Sequence, residues 1–77
     1  MTGFYGITTD RGEYRTRAQV RAEVTRGLRR MLVSGPMAGE IADRYLDDAV
    51  WMARHANETA GSIAREVRAD EFGAWAR

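Results

Sequence analysis

A stripe of small and apolar residues recurs every eleven positions from Ala38 to Trp75, and it limits the fold more than any other feature. Its units are Ala38-Ile41-Ala42-Tyr45, Ala49-Met52-Ala53-Ala56 and Ala60-Ile63-Ala64-Val67. A partial fourth, Glu71-Ala74-Trp75, departs only at Glu71. Eleven residues in three helical turns is about 3.67 per turn, so such a stripe stays nearly straight along one face. The spacing predicts a long alanine-lined helical segment over residues 37–76 whose contact face needs a partner surface.

One break in this segment is allowed, at 57–62, where weak helix formers surround candidate N-caps at Asn57 and Thr59. The phase runs through it without a slip, which favours one continuous helix over a helical hairpin. A helix of about 38 residues is about 57 Å long. A first helix half that length covers only part of the stripe, so the remainder calls for a second chain. The expected homodimer interface is therefore Ile41, Ala42, Tyr45, Ala49, Met52, Ala53, Ala56, Ala60, Ile63, Ala64 and Val67.

Upstream, residues 1–16 read as a β-hairpin or an ordered arm. Phe4 to Thr9 and Tyr14 to Thr16 favour extended structure, and Thr9-Asp10-Arg11-Gly12 suits a turn. Tyr5, Ile7 and Tyr14 can then share one face and lie on a helix. Residues 17–34 read as a basic helix. Thr16 and Gln19 have capping-box spacing, and Val20, Val24, Leu28, Met31 and Leu32 form one apolar stripe. Ser34-Gly35-Pro36 ends it, with Gly35 in the left-handed closing position and Pro36 opening the next helix. The fold class is thus mainly α, self-associating, with an N-terminal hairpin or arm.

Seventy-seven residues make one small domain. With no cysteine and a single histidine, neither a disulfide nor a zinc site is expected, and no cofactor is implied. No apolar run approaches the roughly 18 residues of a membrane span, so a cytoplasmic protein without membrane contact is the expectation. His55 lies near Asp47, Asp48 and Glu58, but no second histidine, phosphate loop or nucleophile motif accompanies it. The reading is of a surface histidine and a protein that is not an enzyme.

Net charge is +1, but residues 11–36 carry +5 and residues 37–77 carry −3. Arg26, Arg29 and Arg30, with Arg15, Arg17 and Arg21 nearby, form the one basic cluster. It is either a solvated helix face or a surface for an anionic partner, including a nucleic-acid backbone. Trp51 falls off the stripe among Arg44, Asp47, Asp48 and His55, as an exposed partner-binding hot spot or a residue covered by the hairpin or first helix. Phe72 is off the stripe as well and can pin the terminus.

Ser62 to Asp70 resembles the helix-turn-helix segment of bacterial regulators in its Ile63-Ala64 pair and Val67. It departs from that family at Arg68, in the place of the turn glycine, and at Gly73. Residues 13–17 followed by two helices resemble the ribbon-helix-helix family, which implies Arg15 and Arg17 at DNA. The leading expectation is a small regulatory or protein-interaction module, an accessory factor of bacterial or phage kind, working through Trp51 or Arg26, Arg29 and Arg30. The alternatives are a dimeric DNA-binding regulator and a structural assembly subunit.

Overall fold

Thr16 opens the first helix as its sequence predicts: its Oγ1 accepts the Gln19 N–H at 3.2 Å, while Gln19 Oε1 accepts the Thr16 N–H at 3.2 Å. Both halves of the capping box are closed, satisfying two donors that a helix start otherwise leaves free. In this computed structural model, which describes residues 3–9 and 12–73, the order is β1 (Thr8–Thr9), β2 (Gly12–Glu13), α1 (Arg17–Arg30), α2 (Gly35–Leu46), α3 (Ala49–Arg54) and α4 (Ala60–Phe72). The fourth partial stripe unit, beyond Glu71, lies outside the described residues.

The hairpin exists but is shorter than the propensities imply. β1 and β2 pair antiparallel, Thr8 with Glu13 and Thr9 with Gly12. Phe4 to Ile7, expected as strand, is a tight turn closed by Ile7 N–H to the Phe4 carbonyl at 3.1 Å. Its central residues Tyr5 and Gly6 both have positive φ, 55° and 69°, and a Cβ at Gly6 would run into Asn57 Oδ1. The arm is tied down: Asn57 N–H donates to the Tyr5 carbonyl at 3.0 Å and Thr8 N–H to the Glu58 carbonyl at 3.1 Å. Ile7 is wholly buried, and Tyr5 and Tyr14 pack at the core's edge. That docking supplies the support a lone hairpin lacks.

α1 stops at Arg30, four residues before the expected end. The left-handed closing position is Leu32, with φ 69°, and not Gly35. Val33 N–H reaches the Leu28 carbonyl at 3.1 Å and Leu32 N–H reaches Arg29 at 3.1 Å, the double closure of a Schellman end. Gly35 instead begins α2, with Pro36 in its first turn as predicted.

The long helix is not formed. Residues 37–76 break at Asp47–Asp48 as well as near 57, and the described residues span 36 Å at most. Asp48 caps α3, its carboxylate accepting the Trp51 N–H at 3.0 Å. Thr59 caps α4 by accepting the Ser62 N–H at 3.1 Å, and Asn57 turns the chain at φ 67°. The stripe therefore folds onto its own chain. Ile41, Ala42, Met52, Ala60, Ile63, Ala64 and Val67 are buried with Val20, Val24 and Leu28. Tyr45 and Ala56 are half-buried, while Ala49 and Ala53, in phase with the stripe, are exposed. The physical reason is that each short helix turns its own apolar side to one core, so the burial that seemed to require a second chain is met within one.

α1 and α4 approach closely at Gly27, where a Cβ would lie 2.7 Å from Ala64 Cβ. Further along, Arg68 Nε donates to the Met31 carbonyl at 3.3 Å, so the two helices run in the same sense. α1 meets α2 through ion pairs: Arg17 to Asp43 at 2.9 Å and Asp47 at 2.9 Å, and Arg21 to Asp43 at 2.7 Å. The hydrogen bonds from Arg21, then Arg17, hold the Asp43 carboxyl below its ordinary range. At Glu58 burial pushes upward, but Ser62 and His55 outweigh it and the result is again downward. Carboxyls with lowered folded pKa contribute stability above their unfolded values, and it is lost as pH falls through the folded ones. The thermal midpoint should thus be flat from neutral pH to about pH 5 and fall below about pH 4. Asp43→Asn should shrink that acid loss; an identical acid limb in the variant would mean the pairs carry no stability.

Candidate functional site

Trp51, read as either an exposed hot spot or a covered residue, is 8 % accessible and therefore covered. Its indole N–H donates to Asp70 Oδ2 at 2.5 Å. The ring meets Tyr45 edge-on at 5.0 Å and lies over His55 at 4.0 Å. The capped break at Asp48 re-aims α3 so that the off-stripe tryptophan faces inward. Tyr45 in turn donates to Glu71 Oε1 at 3.1 Å, and Arg44 pairs with Glu71 Oε2 at 2.8 Å. Burial, then the Glu71 carboxylate, pushes the Tyr45 phenol up to about 12. His55 Nδ1 lies 2.8 Å from Glu58 Oε2, and Ser62 Oγ donates to Glu58 Oε1 at 2.7 Å. Each polar group here is engaged by a neighbour, so this cluster clamps α2 and α3 to α4. Among the described residues no three His, Asp or Glu side chains are grouped to hold a metal.

The two segments that resemble DNA-binding families do not have those families' local geometry. Ser62 to Asp70 is one unbroken stretch of α4, with no turn inside it. In the ribbon reading, the strand ends at Glu13, and Arg17 is inside α1 and bound to Asp43 and Asp47.

A different surface stands out at the far end of α1. Met31, Leu32, Val33, Ser34, Met37, Arg68 and Phe72 line an open groove of about 410 Å³. Leu32 is 94 % exposed and Met37 48 %, and Met31 and Phe72 are half-buried beneath them. Among the described residues no carboxylate lines it. Arg68 lies along one wall, its Nε donating to the Met31 carbonyl at the end of α1. Arg29 passes close to Gly35, whose added Cβ would sit 3.9 Å from its Nε.

No family model matches this chain, and neither the curated proteins nor the solved structures contain a match to it.

The predicted basic cluster does not line this groove but ends in the turn of α1 next to it. Arg26, Arg29 and Arg30 share one face of α1 by their spacing and are exposed. Arg26 is paired with Glu23 at 2.6 Å. Arg29 and Arg30, in the last turn beside the groove, have no ion-pair partner among the described residues, and neither does Arg65, one turn before Arg68 on α4. The groove's apolar half was missed because Met31 and Leu32 continue the α1 stripe in register. The signal that was available is that no glycine lies between Arg30 and Ser34, so a non-glycine had to close the helix if it ended early.

Proposed function

We propose that this chain is a non-enzymatic protein-docking module whose working surface is the groove between the end of α1, the start of α2 and the end of α4. One observation carries the reading: Leu32 combines φ 69° with 94 % exposure. A non-glycine in the left-handed region costs about 1–2 kcal/mol, and this position ordinarily takes glycine. An exposed leucine recovers none of that cost within its own chain. Backbone strain and apolar exposure at one residue, beside an open apolar groove, favour a partner that buries it. None of this requires the stripe, whose burial within one chain removes the ground for a dimer through that face.

Leu32→Gly tests the reading from both sides. Relief of the left-handed strain, less the added freedom of glycine in the unfolded chain, should raise stability by about 0.5–1 kcal/mol in urea unfolding. The same variant should abolish photocrosslinking to protein in cells from a probe placed at Met37. Val50→Gly, which removes another exposed aliphatic residue (68 % exposed) on α3, should leave the crosslinks intact. A less stable Leu32→Gly variant would show that Leu32 serves the fold, and the reading would fail.

A second reading rests on the unpaired arginines: Arg29, Arg30 and Arg65 offer guanidinium forks suited to phosphate. Backbone binding to generic duplex DNA would weaken steeply with salt, and Arg29→Ala with Arg30→Ala would remove it. Undetectable binding at low salt closes that reading.

A further inference from the structure

We propose that the occupant of the groove is an acidic peptide segment of another protein, one that carries one or two large aliphatic or aromatic anchors flanked by carboxylates. The inference rests on the docking reading above and gives the partner its chemistry. The anchor half follows from the lining. Met31 and Met37 are unbranched and polarizable side chains that reshape around an incoming apolar group, and Phe72 supplies a ring at the floor. At about 410 Å³ the groove falls in the lower part of the roughly 300–1,000 Å³ range of ligand clefts, room for a side chain or two and too little for a domain face.

The acidic half follows from charge. Among the described residues the one charged side chain lining the groove is Arg68, and the adjoining last turn of α1 carries Arg29 and Arg30. Of the carboxylates in the last turn of α4, Asp70 accepts from the Trp51 indole and Glu71 from Arg44 and Tyr45. Arg29 and Arg30, without an ion-pair partner among the described residues, thus add positive charge in the turn next to an apolar slot. A carboxylate arriving beside a buried anchor meets it with forked hydrogen bonds. The same arrangement argues against a second copy of this chain in the groove. A self-complementary interface sets the same patch on itself, and here that would face Arg29, Arg30 and Arg68 with their own counterparts. Nucleic acid is disfavoured at this place, since Leu32 and Met37 at the lip offer phosphate nothing.

Panning a library of short random peptides against the immobilised full chain tests the proposal. The enriched peptides should combine Leu, Phe, Trp or Met with Asp or Glu. When such a peptide is titrated, amide signals of Leu32, Met37 and Phe72 should shift in NMR spectra. Affinity should fall about tenfold in Leu32→Gly, the loss expected on removing a central apolar contact. Arg29→Ala with Arg30→Ala should weaken binding, and high salt should abolish the difference between that variant and the parent.

Apolar peptides without acidic residues that still shift the groove signals would overturn the acidic partner and leave the docking reading standing. Failure of every enriched peptide to depend on Leu32 would overturn both. Duplex DNA that shifts Leu32 and Met37 would replace the peptide proposal with the nucleic-acid one. Leu32 and both arginines are exposed, so these variants keep the core and fold as the parent does.

Discussion

Trp51→Ala is expected to destabilise the chain by about 3 kcal/mol, the cost of emptying a buried tryptophan site. The indole is 8 % accessible and packed on Tyr45 and His55. A domain of this size holds roughly 4–12 kcal/mol in all, so the loss is a large share of it. At about 4–8 °C per kcal/mol, the thermal midpoint should fall by about 12 °C or more. Trp51→Phe keeps most of the packing and loses the indole donor to Asp70, which regains water because it is exposed. It should cost about 1 kcal/mol. Far-UV circular dichroism melts of both variants decide the matter. An unchanged midpoint in Trp51→Ala would return the residue to the surface as a partner contact, since exposed truncations stay within about 0.5 kcal/mol.

That prediction takes the covered reading of Trp51 over the exposed one, a choice the residue pattern left open, and it shows what local signals can and cannot carry. The Thr16–Gln19 box was legible because both partners lie within one turn, and their geometry is set by helix formation alone. The arginine face was legible for the same reason, being a matter of spacing along α1. The break before α3 was not. Asp48 is a good cap, but an aspartate inside an apolar period reads equally well as a solvated helix position until the chain is seen to turn there. Once it turns, every orientation downstream changes: Trp51 swings inward and Ala49 and Ala53 swing outward. Leu32 misled for a related reason. Gly35 is the residue best suited to a left-handed closure, and the chain closes the helix three residues earlier at a conformational cost. A pattern weighs each residue's ease, and here the less easy residue was used. The groove follows from that choice, because ending α1 at Arg30 leaves Leu32 and Met37 outside the core.

Leucine substitutions at Ala64 and Ala53 should part company for the same reason. The two positions are eleven apart and equivalent in the repeat, so a stripe acting as one interface would respond alike at both. In the fold they differ fully. Ala64 is 1 % exposed and sits where Gly27 lets α1 come close enough that one more carbon would clash. Leucine there adds three carbons between backbones that cannot part without opening the α1–α4 seam. The expected loss is about 3 kcal/mol, at the upper end for an overpacked core. Ala53 is exposed on α3, so leucine there should change stability by no more than about 0.5 kcal/mol. Chemical unfolding gives the stabilities, and light scattering on the same samples gives the mass. A large loss at Ala64 alone, with mass unchanged in both variants, is the result a self-contained core requires. Small and equal losses with a shift in mass at both positions would mean the eleven-residue repeat packs against a second chain after all. The repeat's phase would then be a property of an interface and not of three short helices that each turn inward on their own.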